Sequence, residues 1–353
     1  MIADPLDLTL ELSARARFDV VDLRSRLTRE YGDALASYPR CLYWTAHTTA
    51  GFLDRSLTPR LGPGRVSTYV EMLRRIFPEG AGYEHDHLER RQDLDAAQRA
   101  VEPRNGDSHL AFIAGGLRPC VTHPNRAGEA VCFVDLDGIN EGRSRRRLTR
   151  VIGFHREAIV GQMRLQVPVS AHPIDSVNLK DPKLDIYPQL AEFVARAGVS
   201  RGRLHIALAR GERDAALTVN EFETLLMKHD LTAVLRNPLR FMAEEYRRAL
   251  ANPRAVAGRA FDYARYDLVR VLNSGLGTLG LHGSLLERLL ARALAVPAAR
   301  VFRIRRSIDL LVAEDADGRV GPVEGMYQSP ILIQWQRATR PERAVDVTLT
   351  RLE

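Results

Sequence analysis

Apolar positions along the chain change period at regular intervals. In Pro182–Glu221, PKLDIYPQLAEFVARAGVSRGRLHIALARGERDAALTVNE, residues Ile186, Leu190, Phe193, Val194 and Ala197 share one helical face. Gly198 follows as a C-terminal cap, and Arg203–Ala209 alternates apolar and polar groups as a strand does. The order is helix, turn, strand and short loop. Earlier in the chain the same order recurs: Val20–Leu35 predicts an amphipathic helix, Tyr38–Arg40 a turn, and Cys41–Ala46 a buried strand ending in HTTAG. Laid side by side without gaps, HTTAGFLDRS (47–56) faces ERDAALTVNE (212–221). A helix follows each loop. One is Val66–Phe77, with Val66, Tyr69, Val70, Leu73, Ile76 and Phe77 on one face and Pro78 closing it; the other is Thr224–Leu235, with Pro238 beyond. Between Pro238 and Val301, two largely helical segments flank the glycine-rich NSGLGTLG, which lacks the lysine and Ser/Thr of a phosphate loop and is expected to be a hinge or surface loop.

Composition narrows the class. The chain has 353 residues, 45% of them apolar and 27% charged, which suits two ordinary globular domains. No stretch approaches the roughly 20 apolar residues of a membrane span, and the acids in MIADPLDLTLELSARARF do not suit a signal peptide, so a cytoplasmic protein is expected. Cys41, Cys120 and Cys132 are odd in number and lie in apolar segments, which predicts core residues and no disulfide framework. The formal charge is +7, and Lys180, Lys183 and Lys228 are the only lysines among the basic residues. That charge is interleaved with acids, so a nucleic-acid partner is not expected.

Several motifs in the first half resemble the YjbQ-like family, identified as secondary thiamine-phosphate synthases. They are HTTAG at His47–Gly51, YEHD at Tyr83–Asp86, NGDSHL at Asn105–Leu110, the strand pair in PCVTHPNRAGEAVCF, and GRSRRRLTRVIGF. Where the family carries Asn-Glu after its HTTA motif, the first half has Arg55 and Ser56; where it carries G-T-W-Q, the first half has VDLD (Val134–Asp137). The second half is complementary, with LTVNE at Leu217–Glu221 and GMYQSPI at Gly325–Ile331, but Glu212 in place of the histidine. A tandem duplication is expected, each copy having lost what the other retains.

Five of the ten histidines, His47, His85, His87, His109 and His123, fall in one short part of the first half. A histidine at a strand end can face a cleft and bind a metal or move protons. The resemblance matches His47, His85 and His109 to three family histidines, a candidate triad for a divalent metal of the zinc or magnesium class, with Asp86 beside it. Thr48 and Thr49 are candidates to donate to an anionic oxygen, or are ordinary turn residues. Asn105 and Ser108 orient His109 or a ligand, or cap a helix. In the second half, Asn220 and Glu221 are either a cap or a site, with Glu221 as acid/base or partner of a metal-bound water. Tyr327 and Gln328 are expected at the wall of that pocket. Arg143, Arg145, Arg146, Arg147 and Arg150 form either a solvated strand flank or a diphosphate or RNA contact, with Arg145 and Arg147 as the substrate-binding candidates; no aromatic residues interleave for base stacking.

The expected fold is α+β: two tandem YjbQ-like domains, each a mainly antiparallel sheet packed with a few helices. They would span residues 1–155 and 181–353, with a linker at 156–180 and a helical insertion at about 239–300. The resemblance implies a metal-assisted group-transfer enzyme acting on a small phosphorylated or diphosphate-bearing metabolite, with a divergent, specialised reaction at a composite site or a metal-dependent hydrolase as variants of that class. It also implies a homo-oligomer, trimer-based or a pseudo-sixfold ring. The rival class is a non-catalytic oligomeric binding or scaffold protein with an arginine-rich surface.

Overall fold

The computed structural model describes residues 4–55, 65–140, 142–236, 241, 304–314 and 318–353. The helical insertion expected at 239–300, with its glycine-rich segment, lies outside them apart from Phe241. In chain order the elements of the first half are β1 (Leu6–Ser13), β2 (Asp19–Asp22), α1 (Leu23–Tyr31), β3 (Arg40–Thr45), β4 (Ala50–Phe52), α2 (Arg65–Ile76), α3 (Ala96–Val101), α4 (Gly106–Gly115), β5 (Cys120–Pro124), β6 (Cys132–Asp135), β7 (Ile139–Asn140), β8 (Arg143–Ser144) and β9 (Arg146–Phe154). The second half follows with β10 (Glu157–Pro168), β11 (Asp175–Asn178), α5 (Ile186–Arg196), β12 (Gly202–Leu208), β13 (Ala215–Asn220), α6 (Leu231–Arg236), β14 (Ser307–Glu314), β15 (Val320–Val323), β16 (Ser329–Gln334) and β17 (Glu342–Leu352). The fold is α+β, and its strands pair antiparallel.

Among the described residues, every sheet draws its strands from one half only. The first half forms a sheet in the order β1-β9-β3-β5 and a smaller one β2-β6-β4; the second forms β10-β17-β12-β14-β15 and β11-β16-β13. Strand for strand, the two orders repeat, with β15 the addition. Register aligns the two halves across these strands. Asp135 faces Ala50 and Asp19, as Gln334 faces Ala215 and Asp175. This sets His47 against Glu212 and Asn220 against Arg55, as the ungapped alignment has it. The counterpart of Gly325–Gln328 differs from expectation: counting back from Asp135 and Gln334 gives Arg126–Glu129, whereas Val134–Asp137 runs through the end of β6.

Other boundaries move for physical reasons. The helix expected from Val20 begins at Leu23, because residues 19–22 pair with β6 and the Asp22 carboxylate accepts from the amide of Arg24 (3.2 Å) as its cap. It ends at Gly32, whose φ of 56° suits glycine. Residues 156–180, expected as a linker, hold β10 and β11, so the passage between the halves is the short turn after Phe154.

The described chain divides into two compact units. The first comprises Met1–Tyr69, Phe112–Phe222 and Arg303–Glu353, and contains all the sheets. In it, Leu23 and Leu27 of α1 pack on Leu10, Cys41, Tyr43, Val121 and Val151, and Leu190 and Val194 of α5 pack on Leu204, Leu310 and Val347. A third cluster joins the halves: Leu42, Cys120, Ile152 and Phe154 meet Leu311, Ala313 and Leu352. The second unit comprises Val70–Ala111 and Glu223–Phe302. Its described residues bury Leu73, Phe77, Tyr83, Leu226, Leu231, Val234 and Phe241, with Phe77 and Phe241 rings 5.8 Å apart. The helix expected over Thr224–Leu235 contains a π-helical turn, Leu226–Asp230, before α6. No helix among the described residues is long and apolar enough to cross a membrane.

Candidate functional site

In the first unit, β3 delivers His47 to its end, and the backbone amide of Leu148 donates to the ring Nε2 at 3.1 Å. A neutral ring that accepts at Nε2 carries its proton on Nδ1. Burial, then the charges of Arg147 and Arg145, hold the imidazole neutral and push its pKa down to about 3. The lone pair expected to meet a metal is therefore engaged by the backbone. Arg147 is buried, and its guanidinium donates twice to Asp135 (2.8 Å each), to the Asp137 carbonyl (2.9 Å) and to the Thr49 hydroxyl (3.4 Å). Thr49 is thus part of the packing around that arginine, and Arg147 acts on the site as a fixed charge. Arg145 remains partly exposed, with Nη1 3.2 Å from Asp137.

Side chains of the second half close on this strand end. Gln328, 1% exposed, donates through Nε2 to the carbonyls of Thr45 (3.0 Å) and His47 (2.8 Å), while its Oε1 accepts from the Gly325 amide (3.0 Å). Asn220, also buried, donates to the Thr48 carbonyl (2.8 Å) and accepts from the Glu221 amide (2.9 Å). The motifs split between the halves therefore meet in one chain. Gln328 and Asn220 hold the loop by its backbone; half-buried Glu221 follows at the end of β13. Tyr327 is exposed on the turn.

Behind the turn stands a group that sequence patterns did not mark. Lys180 donates to the Gln328 carbonyl (3.1 Å) and pairs with Glu324 (2.9 Å), which also accepts from the Tyr187 hydroxyl. Burial pushes the Glu324 carboxyl up to about 7 against the opposing pull of Lys180. The scarcity of lysine was the one available signal.

The matching loop of the second half is built differently. Glu212 accepts from buried Arg343 (3.0 Å) through Oε2 and from the Ala344 amide (3.0 Å) through Oε1. Arg343 and Ala344 are the register counterparts of Arg147 and Leu148, so the same backbone amide reaches the same position in both halves. Glu212 is a structural partner of Arg343, and neutral Gln334 accepts from that arginine where Asp135 stands in the first half.

In the second unit, the Tyr83–Asp86 segment forms a 3₁₀ turn that buries His85. The His85 and His109 rings lie 4.9 Å apart, and a nitrogen of each is within 4.8 Å of the other. Asp86 lies 3.1 Å from His85 Nδ1 and accepts from the Gly106 amide (2.9 Å), fixing the ring against the start of α4. A Cβ at Gly106 would meet Tyr83 Cβ at 2.9 Å, so glycine is required for this approach. Buried Arg91 reaches His85 Nε2 (3.3 Å), with Asp93 and Glu102 as its carboxylate partners. Asp230, at the end of the π-helical turn, accepts from the amides of Glu84 and His85 (2.9 Å each); burial raises its pKa to about 6. No motif pointed to Asp230 or Arg91. Asn105 receives the amides of Ser108 (2.9 Å) and His109 (3.2 Å) at its carbonyl, opening α4. His87 pairs with Glu89, and buried His123 packs edge-on to Tyr43.

Of the arginine run, Arg145, Arg146, Arg147 and Arg150 pair with Asp137, Glu11, Asp135 and Asp7, which leaves little field for a polyanion.

Fold and site place the molecule among α+β proteins, and it is similar to solved YjbQ-like proteins over slightly more than half its length. A YbjQ-like protein of unknown function from Sulfolobus solfataricus P2 matches at 17% identity, covering 56% of this chain and 99% of that one, with a TM-score of 0.29. A hypothetical protein from Aeropyrum pernix K1 matches at 16% identity, covering 54% and 97%, with a TM-score of 0.26. An uncharacterized conserved protein of the YjbQ family from Clostridium acetobutylicum matches at 13% identity, covering 53% and 98%, with a TM-score of 0.26. No family model and no curated protein matches the chain.

Proposed function

We propose that the chain is a metal-dependent group-transfer enzyme, resembling the thiamine-phosphate synthase type, which acts on a small diphosphate-bearing metabolite. The observation that carries this reading is the docking of Gln328 and Asn220 on the backbone of Thr45, His47 and Thr48. These contacts bring groups of both halves to the loop that holds the histidine and threonines. The repeated strand order supports a tandem duplication as its origin.

The reaction is attack of a nitrogen nucleophile on the carbon bearing diphosphate: a C–N bond forms, the C–O bond to diphosphate breaks with its electron pair, and the nitrogen gives up a proton. Arg145 and the Thr48 hydroxyl would stabilise charge on the leaving group, and Glu221 would accept the proton. His85 and His109 are buried imidazoles with neighbouring nitrogens, and Asp86 fixes the His85 tautomer whose acceptor is Nε2; a metal held there would take the place of the Arg91 guanidinium, 3.3 Å from that nitrogen. Such an ion would supply Lewis-acid chemistry.

A thermal-shift screen of phosphorylated metabolites, followed by an assay of pyrophosphate release, tests this. His47→Ala and Glu221→Ala should each lower the rate by at least about 100-fold, on the scale of removing an electrostatic or proton-transfer group. Full activity in either variant contradicts the reading. Metal content below stoichiometric, unchanged by His85→Ala or His109→Ala, contradicts the metal assignment.

A further inference from the structure

We propose that His47 is a neutral hydrogen-bond donor which, together with Arg145, binds a phosphoryl oxygen of the substrate, and that it is not a metal ligand. This rests on the reading of the HTTAG strand end as a site for a phosphorylated metabolite, and it gives the histidine a role different from the one its motif suggests.

The second half supplies the comparison. At the position of His47 stands Glu212, and both of its oxygens are engaged, one by Arg343 and one by the Ala344 amide. Imidazole at the same place receives the corresponding amide, from Leu148, at Nε2. The arginine, here Arg147, takes its carboxylate from Asp135 instead, where the second half has Gln334. Moving the negative charge from position 47 to position 135 leaves position 47 free of the arginine. The consequence is a ring whose one remaining polar atom is the Nδ1–H, with no hydrogen-bond partner among the described residues.

Arg145 stands by with donors to give. Its Nη1 lies 3.2 Å from Asp137, and a guanidinium carries five N–H groups. The same positive charges that keep the imidazole from protonating favour an anion against its N–H. A neutral imidazole donor suits a phosphoryl oxygen, because it offers a directed hydrogen bond and does not trap the proton of a leaving group.

The test is calorimetric titration of inorganic pyrophosphate into the full-length protein in the presence of a chelator. Wild type should bind; His47→Ala and Arg145→Gln should each weaken binding about tenfold, the size of one charge-assisted hydrogen bond. His47→Asn, whose amide N–H takes the place of Nδ1–H, should stay within about threefold. Loss in the asparagine variant equal to that in alanine overturns the donor role, as does full affinity in His47→Ala or no binding by wild type. Long-range nitrogen–proton spectra of wild type read the tautomer directly: protonated Nδ1 and bare Nε2 at pH 7 support the proposal, and the reverse tautomer or a charged ring overturns it. Pyrophosphate binding that follows this pattern without any turnover would support the donor role and remove only the enzymatic reading.

Discussion

Arg147 and Arg343 occupy matching places at the start of β9 and β17, and each is buried with one carboxylate, but the carboxylate comes from a different residue. A buried guanidinium without its counter-charge is costly, on the order of 3–5 kcal/mol. Asp135→Gln should therefore destabilise the protein by about that amount, read from the midpoint of urea unfolding. Adding His47→Glu to it rebuilds the pattern of the second half and should recover most of the loss while removing pyrophosphate binding. A double variant no more stable than Asp135→Gln alone would show that the two halves are not interchangeable at this position. The motif HTTAG was legible in the sequence; the role of its residues was not. Thr49 and Arg147 look like ligand contacts in a linear string, and only packing shows that they face each other.

At the scale of elements, the turn Gly325–Gln328 is the piece that brings β16 of the second half against the end of β3. A Cβ on Gly325 would lie 1.9 Å from the Ala46 carbonyl oxygen, with no flexible side chain to give way. Gly325→Ala should displace the turn, lower stability by about 1–3 kcal/mol as overpacking does, and weaken pyrophosphate binding together with it. Stability and binding both unchanged would place the turn outside the working site. Within the second unit, Asp86 joins the 3₁₀ turn to the start of α4. Asp86→Asn should lower zinc affinity by about 10-fold or more, measured by competition with a chromophoric chelator, because the carboxylate orients and strengthens the imidazole. Helices and strands with clear periodicity were legible, as at Ile186–Arg196 and Gly202–Leu208. The π-helical turn at Leu226–Asp230 was not, since its buried aspartate is selected by two backbone amides distant in sequence.

Across the first unit as a whole, the two halves are joined by an apolar cluster and an ion network. Asp309 of the second half receives Arg203 (2.6 Å), His205 (2.8 Å) and, from the first half, Arg118 (2.9 Å). Burial alone would raise its pKa; the His205 hydrogen bond and the charges of Arg203, His205 and Arg118 outweigh it and hold the carboxyl at about 2. Its folded pKa lies below the ordinary value of about 3.9, so its stabilisation is present above that pH and is lost as pH falls towards 2. Asp309→Asn should be less stable at neutral pH and show a flatter acid limb between about pH 4 and 2. A limb as steep as that of wild type would remove Asp309 from the account. The α+β class and the order of motifs were legible along the chain, because hydrophobic period and turn residues are local. The meeting of the halves was posed by the sequence as a question, because complementary motifs do not say whether two halves touch within a chain.

The proposed working site is divided between the halves, with His47 from the first and Glu221 from the second. Rates of pyrophosphate release for wild type, His47→Ala, Glu221→Ala and the double variant test it as a closed cycle. Residues that act as a unit lose activity together, so the double variant should be about as slow as the slower single one. Full activity in either single variant, or losses that simply multiply in the double, would contradict a shared site.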